Sequence, residues 1–219
     1  MPPASTLADR ATLHARLRAG ASELGLTLTA EQSERLIDYL ELLVRWNAVY
    51  NLTAVRDPAE MVTRHLLDSL AIAPLVSGDS LADLGTGPGL PGIPLAILAP
   101  ERRVTLVDSN GKKIRFLREA VRVLGLANAR VEQARAEDFQ GQYDCIVARA
   151  FAALGDILIW GGHLLAPDGV CVAMKGVIDA EETSGLPPGF HIEKIVPLNV
   201  PGLGAARHAV IIRRSDGAV

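Results

Sequence analysis

An acid followed by glycines at every second position, Asp83-Leu84-Gly85-Thr86-Gly87-Pro88-Gly89, is the stretch of this chain best suited to chemistry. Glycines at that spacing allow positive φ and remove every Cβ from a turn, so a small polar ligand can lie against backbone N–H groups. Leu81-Ala82 before them reads as strand. Pro91 and Pro94 after them fall in the first turn of a helix from Ile93 to Leu98, where a missing N–H costs nothing. Strand, glycine loop and helix N-terminus make half of a nucleotide-type site. Gly87-x-Gly89-x-x-Gly92 also satisfies the dinucleotide fingerprint, and a bare structural turn is a third reading. Asp83 separates the two ligands, because an acid there repels a pyrophosphate and suits an ammonium, which points to S-adenosylmethionine rather than NAD.

Other residues join this candidate site by position. The strand from Arg103 ends at Asp108, 19 residues after Gly89, where a carboxylate meets ribose hydroxyls in such folds. Ala136-Glu137 lies beyond a third strand, Ala129 to Gln133, and an acid there can bond an adenine amino group. Arg149 emerges at the carboxyl edge of a strand from Tyr143 to Ala148, as an anion clamp or as a salt bridge closing the domain. Arg64 and Asp68 are spaced i,i+4 with His65 between them, which spacing alone reads as a surface ion pair and a helix histidine. Trp46 and Tyr50 can stack on bases or pack together, and packing is preferred. The cations Lys112, Lys113, Arg115, Arg118 and Arg122 form either a solvated helix face or a nucleic-acid patch. Cys145 and Cys171, without a C-x-x-C partner, read as buried thiols rather than metal ligands.

These residues need a frame. Residues 6 to about 76 read as helices, with capping patterns at Thr6-Leu-Ala-Asp9, Thr29-Ala-Glu-Gln32 and Asp57-Pro58-Ala-Glu60. From Leu81 strands and helices alternate, through a helix from about Lys112 to Leu124 and another from Leu154 to Leu165, to a fifth strand from Val170 to Met174. His191 to Val196 and His208 to Arg213, joined by Pro201-Gly-Leu-Gly204, read as a final strand pair. The fold class is α/β: a Rossmann-like, mostly parallel sheet with an antiparallel last strand behind an N-terminal helical region, divided into 1–76 and 77–219. With 219 residues and 49% apolar content the chain can bury a full core. It begins with no basic-plus-apolar leader and contains no apolar run of about 18 residues, so a cytoplasmic protein without membrane or metal partners is expected.

Taken together, the pieces resemble the bacterial small-subunit ribosomal RNA guanine-N7 methyltransferases, the glucose-inhibited division protein B family. The resemblance rests on Trp46-Asn47 with Asn51-Leu52-Thr53, His65 with Asp68-Ser69, Asp83 to Pro94, Asp108-Ser109 with Lys112-Lys113, Arg149-Ala150-Phe151 and Lys175-Gly176. It implies a class I methyltransferase fold and methyl transfer from S-adenosyl-L-methionine to N7 of one guanosine in 16S ribosomal RNA of the small ribosomal subunit. It also implies that Gly85, Leu90, Ala136, Glu137 and Arg149 contact the cofactor, which Gly87 and Asp108 join by position. Arg64, His65, Lys175 and Arg207 are the candidate RNA contacts, and a monomer is expected.

The absences agree, for the chain has no Asn-Pro-Pro-Tyr run for an exocyclic amine and no Pro-Cys nucleophile for cytosine carbon-5. With net charge −3 and pI about 6.0 there is no global pull on phosphates, so RNA recognition must be local. Two other functions fit the glycine loop: an NAD(P)-dependent oxidoreductase and a nucleotide-sensing module without chemistry. No catalytic base is expected, because guanine N7 carries no proton to remove.

Overall fold

The computed structural model describes residues 9–178 and 180–215. Its frame is a seven-stranded sheet in the order β3-β2-β1-β4-β5-β7-β6. The strands are β1 (Ser80–Leu84), β2 (Arg103–Asp108), β3 (Ala129–Gln133), β4 (Tyr143–Arg149), β5 (Leu165–Lys175), β6 (Phe190–Pro197) and β7 (His208–Arg214). The first five run parallel, while β7 is antiparallel to both β5 and β6. The expected strand pair closes the sheet, and β7 inserts beside β5 so that β6 becomes the edge.

Helices follow from local chemistry. Helix α1 (Arg10–Glu23) is capped by the Asp9 side chain, whereas Thr6 lies outside the described residues. Helix α2 (Ala30–Tyr50) opens on a reciprocal capping box between Thr29 and Gln32 and ends at Asn51, which takes the left-handed conformation at φ 51°. Helix α3 (Pro58–Met61) starts with an Asp57 cap and proline in its first turn, continues as a π-helix over Val62–Leu67, and finishes as α4 (Asp68–Leu70). The remaining helices are α5 (Gly92–Leu98), α6 (Gly111–Val123), α7 (Leu154–Gly161) and the short α8 (Ala180–Ser184). The helix expected to run to Leu165 stops earlier, since a 3₁₀ turn at Gly162–Leu164 hands Leu165 to β5, whose first residue pairs with Tyr143.

Strand residues alternate between two cores, as a period of two requires. Leu81, Leu106, Cys145, Val147 and Val172 face a cluster shared with α1 to α6, while Ala82, Leu84, Ile146, Ala148 and Ala173 face one covered by α7. The helical region before β1 and the sheet thus bury one common core. Leu17, Leu40 and Leu67 belong to it together with Val104 and Val170. No helix among the described residues is long and apolar enough to cross a membrane.

Candidate functional site

Sheet register brings the expected site residues into one row. Leu84 pairs with Val107 on one side and Ala148 on the other, so the next residues, Gly85, Asp108 and Arg149, emerge together at the carboxyl edge. Ligands of open parallel sheets bind at that edge.

The glycine loop differs from its expected use. Its N–H groups are spent inside the protein: Thr86 donates to the Val107 carbonyl, Gly87 to Asp108 Oδ2 at 2.9 Å, Gly89 and Leu90 to the Thr86 carbonyl, and Gly92 to Asp83 Oδ2 at 2.7 Å. No row of free donors remains there for a pyrophosphate, and the start of α5 is capped by Asp83. That acid is itself fully buried and also accepts the Thr86 hydroxyl at 2.5 Å, so it braces the loop and does not line a cavity; the ammonium partner expected of it is not what the geometry offers. Burial pushes its pKa up to about 7 against those two hydrogen bonds. Tyr39 on α2 holds the loop from the other side, its hydroxyl donating to the Pro88 carbonyl at 2.8 Å. Leu90 is likewise buried in the core, away from the lining of either cavity described below.

A first cavity of about 320 Å³ opens beside this loop. Gly85, Asp108, Ala136, Glu137, Phe151 and Trp160 line it, with Lys113 and Arg135 at its mouth. Gly85 sits at φ +64°, and a Cβ there would lie 2.1 Å from the Phe151 ring, so only glycine lets that ring close the floor. Phe151 and Trp160 meet edge to face at 5.8 Å and form an apolar wall. Asp108 is buried; its Oδ1 accepts the Asn110 N–H at 2.8 Å, and Oδ2 accepts Gly87 N–H and, at 3.3 Å, Lys113 Nζ. Three of about four lone-pair positions are thereby taken, which leaves a position on Oδ1 for a ligand hydroxyl.

A second cavity, of about 420 Å³, adjoins the first and shares Ala150 with it. Ala150 is a left-handed non-glycine residue at φ 49°, an unfavourable conformation of the kind found where a site dictates backbone direction. Nothing in the sequence signals it. Arg64, His65, Lys175 and Arg207, separated by up to 143 residues in the chain, all line this cavity with Arg149. The Arg149 guanidinium therefore faces the second cavity, although the resemblance implies a cofactor contact. It donates through Nη1 to Asp68 Oδ2 at 2.8 Å and to the Arg64 carbonyl at 3.2 Å, while Arg207 Nε meets Asp68 Oδ1 at 3.1 Å.

The expected Arg64–Asp68 pair is not formed. The wider π-winding of Val62–Leu67 breaks the i,i+4 alignment, Asp68 turns inward to the two arginines, and Arg64 faces Glu60 at 3.6 Å. Single π-turns of this kind recur at functional sites. Thr63, at the start of the segment, receives Arg16 from α1 at 2.9 Å. Lys175 is tied to the Ala152 carbonyl at 2.6 Å and to Glu182.

His65 is buried, and its Nε2 lies 2.9 Å from Thr53 Oγ1. Burial first, then the positive Arg149, lower its pKa to about 4, against the opposing influence of the Arg64 carbonyl and Asp68. Asn47 explains the motif upstream: its Oδ1 accepts the Thr53 N–H and its Nδ2 donates to the Val55 carbonyl, folding residues 51–56 over His65. Trp46 stacks on Tyr50 at 5.2 Å and meets Phe116 of α6 at 5.7 Å, so it packs. On α6, Lys112, Arg115 and Arg118 are exposed, and Arg122 is bound to Glu119.

A third cavity, of about 360 Å³, lies at the opposite edge, where β1 to β4 begin. Within it Arg130 reaches both Thr105 Oγ1 at 2.9 Å and the Tyr143 hydroxyl at 2.8 Å, so these three groups satisfy one another. Among the described residues no group of three or more His, Cys, Asp or Glu side chains is placed to hold a metal, and both cysteines are buried free thiols.

The chain resembles known proteins along most of its length. The model of a family called GidB, described as rRNA small subunit methyltransferase G, matches residues 32–211. A ribosomal RNA small subunit methyltransferase G from Stenotrophomonas maltophilia is 58% identical over 204 residues, which span 92% of this chain and 95% of the relative. The protein of the same name from Xanthomonas campestris is 58% identical over 190 residues, 86% of this chain and 90% of the relative. Among solved structures, a mitomycin 7-O-methyltransferase covers 97% of this chain and 74% of its own with a TM-score of 0.56 at 17% identity, a likeness of fold.

Proposed function

The chain belongs to the GidB family of ribosomal RNA small subunit methyltransferases G, and we propose that it transfers a methyl group from S-adenosylmethionine to N7 of one guanosine in 16S ribosomal RNA. The observation that carries this reading is the meeting of two unlike cavities at Ala150, one bearing a buried carboxylate and an aromatic wall, the other bearing four cationic side chains.

The first cavity fits the cofactor. Its volume is within the range of small-molecule sites, Asp108 keeps a free acceptor position for a ribose hydroxyl, and Ala136 and Glu137, which line the same cavity, would hold the adenine. Bound there, S-adenosylmethionine supplies a methyl group on a sulfonium that is already an activated leaving group. The spent N–H groups of the glycine loop argue against a dinucleotide, whose pyrophosphate needs them.

The second cavity fits the base and its phosphates. Arg64, Arg149, Lys175 and Arg207 outnumber by one the Glu60, Asp68 and Glu182 carboxylates they meet, so the cavity is net positive although the whole chain carries −3. We assign residues 77–219 to cofactor binding and the helical residues before them to presenting the substrate from the π-segment. Guanine N7 has an in-plane lone pair and no hydrogen, so no side chain has to accept a proton. The protein's contribution is alignment and exclusion of water, and positioning of this kind supplies about 7 to 11 kcal/mol. A small subunit as substrate makes the cytoplasm the place of action, with the chain acting as a monomer.

Titration calorimetry with S-adenosylmethionine, its demethylated product and NAD distinguishes the readings. We expect the first two to bind and NAD not to bind. Tight NAD binding without S-adenosylmethionine binding would overturn the proposal, and cofactor binding without methyl incorporation into small subunits would favour a sensor.

A further inference from the structure

One buried polar atom in the second cavity has no partner within the protein. His65 is 7% exposed and its ring lines the cavity beside Arg149; its Nδ1 is itself enclosed by protein and makes no hydrogen bond of good geometry, although the Arg64 carbonyl acts on the ring. An unpaired buried polar atom is destabilising, so its persistence in a ring that lines a cavity points to a partner reached as the ring adjusts to the arriving substrate.

The neighbours decide whether that atom donates or accepts. Val55 N–H donates to Thr53 Oγ1 at 3.2 Å, and the same oxygen lies 2.9 Å from His65 Nε2. With one lone pair of the hydroxyl already used by Val55, donation of the Thr53 proton to Nε2 satisfies both groups at once. The ring proton then sits on Nδ1. Asn47 fixes this relay by clamping the backbone of Thr53 and Val55. The ring is neutral at physiological pH; Arg149 and Arg64 facing it oppose a positive charge, and Asp68, which favours one, is already shared between Arg149 and Arg207.

A neutral donor suits one base. Beside N7, guanine presents the acceptor O6, whereas adenine presents the donor amino group N6. A protein that aligns N7 for methylation has O6 as the adjacent atom by which to tell the two purines apart. We propose that His65 Nδ1–H donates to O6 of the target guanine and selects it over adenine, with Thr53 as the positioning residue that fixes the imidazole tautomer; this rests on the methyltransferase reading above.

Nitrogen-15 NMR of the histidine rings in the full chain tests the tautomer without reference to activity. The Nδ1–H form is expected in the parent and in Thr53→Ser, and a loss of that preference in Thr53→Val. Kinetics on small subunits lacking the modification test the contact. His65→Phe should bind S-adenosylmethionine as the parent does, and its kcat/KM should fall roughly 10- to 100-fold, the loss expected for an acceptor left unpaired in a closed site. Discrimination against reconstituted subunits carrying adenine at the target should fall with it. An Nε2–H tautomer in the parent, or parental kcat/KM in a folded His65→Phe protein, overturns the inference. Activity of the parent in the same assay separates that failure from failure of the functional reading.

Discussion

Asp108 and His65 carry different kinds of work, and each is open to a direct test. Removal of the Asp108 carboxylate in Asp108→Ala deletes the ribose acceptor and frees the Gly87 N–H, so affinity for S-adenosylmethionine should drop by about 1.5 to 3 kcal/mol in calorimetry with the fold retained. Unchanged affinity would move the ribose elsewhere. Two buried groups should also write themselves into the pH dependence of stability, with opposite signs. His65 has its pKa lowered from 6.5 to about 4, so between those values the unfolded chain holds more protons than the folded one. Its contribution rises with pH and is lost on acidification. Asp83 has its pKa raised from 3.8 to about 7, so the folded chain holds the extra proton and its contribution declines as pH rises through that window. Urea unfolding at about pH 5 and pH 7.5 should show His65→Phe less sensitive to acid than the parent, and Asp83→Asn gaining less from acidification than the parent. Stability curves parallel to the parent's would contradict both assignments. Asp83 also shows where residue identity misleads: an acid before a glycine loop looks like a ligand for a cation, but its direction is set by Gly92 and Thr86, which no local pattern reveals.

The elements that present these groups were legible to different degrees. Strand alternation and capping chemistry marked the strands and the helix starts because both are local, as at Asp57-Pro58 and the Thr29–Gln32 box. The π-turn over Val62–Leu67 was not legible. It coincides with the pull of two distant arginines on Asp68 and with the packing of α1 on Leu67, contacts that join residues far apart in the chain. Gly20 on α1 is the close approach: a Cβ there would lie 2.3 Å from Leu67 Cδ1, and Leu67, only 1% exposed, would have to shift within the core. Gly20→Ala should therefore destabilise the fold by about 1 to 3 kcal/mol in urea unfolding, and more of its effect should fall on subunit methylation than on cofactor affinity. A variant as stable as the parent would mean that α1 does not set the π-segment.

At the scale of the molecule, the row of Gly85, Asp108 and Arg149 could be foreseen because a parallel sheet aligns successive strand ends, while the side of the sheet edge to which Arg149 turns could not, since it depends on Asp68 from the helical region. The protein meets a polyanion with net charge −3, using a few cations in one cavity. Its affinity for small subunits should accordingly have a shallow salt dependence, with a log–log slope corresponding to about two to four phosphate contacts. A slope near that of a broadly basic RNA-binding protein would implicate the exposed cations of α6 instead. The most direct measurement is mass spectrometry of nucleosides from 16S ribosomal RNA after incubation of unmodified small subunits with the protein and isotopically labelled S-adenosylmethionine. Label is expected in 7-methylguanosine at one position and in no other nucleoside; label in an amino- or carbon-methylated base, or none at all, would contradict N7 transfer by this protein.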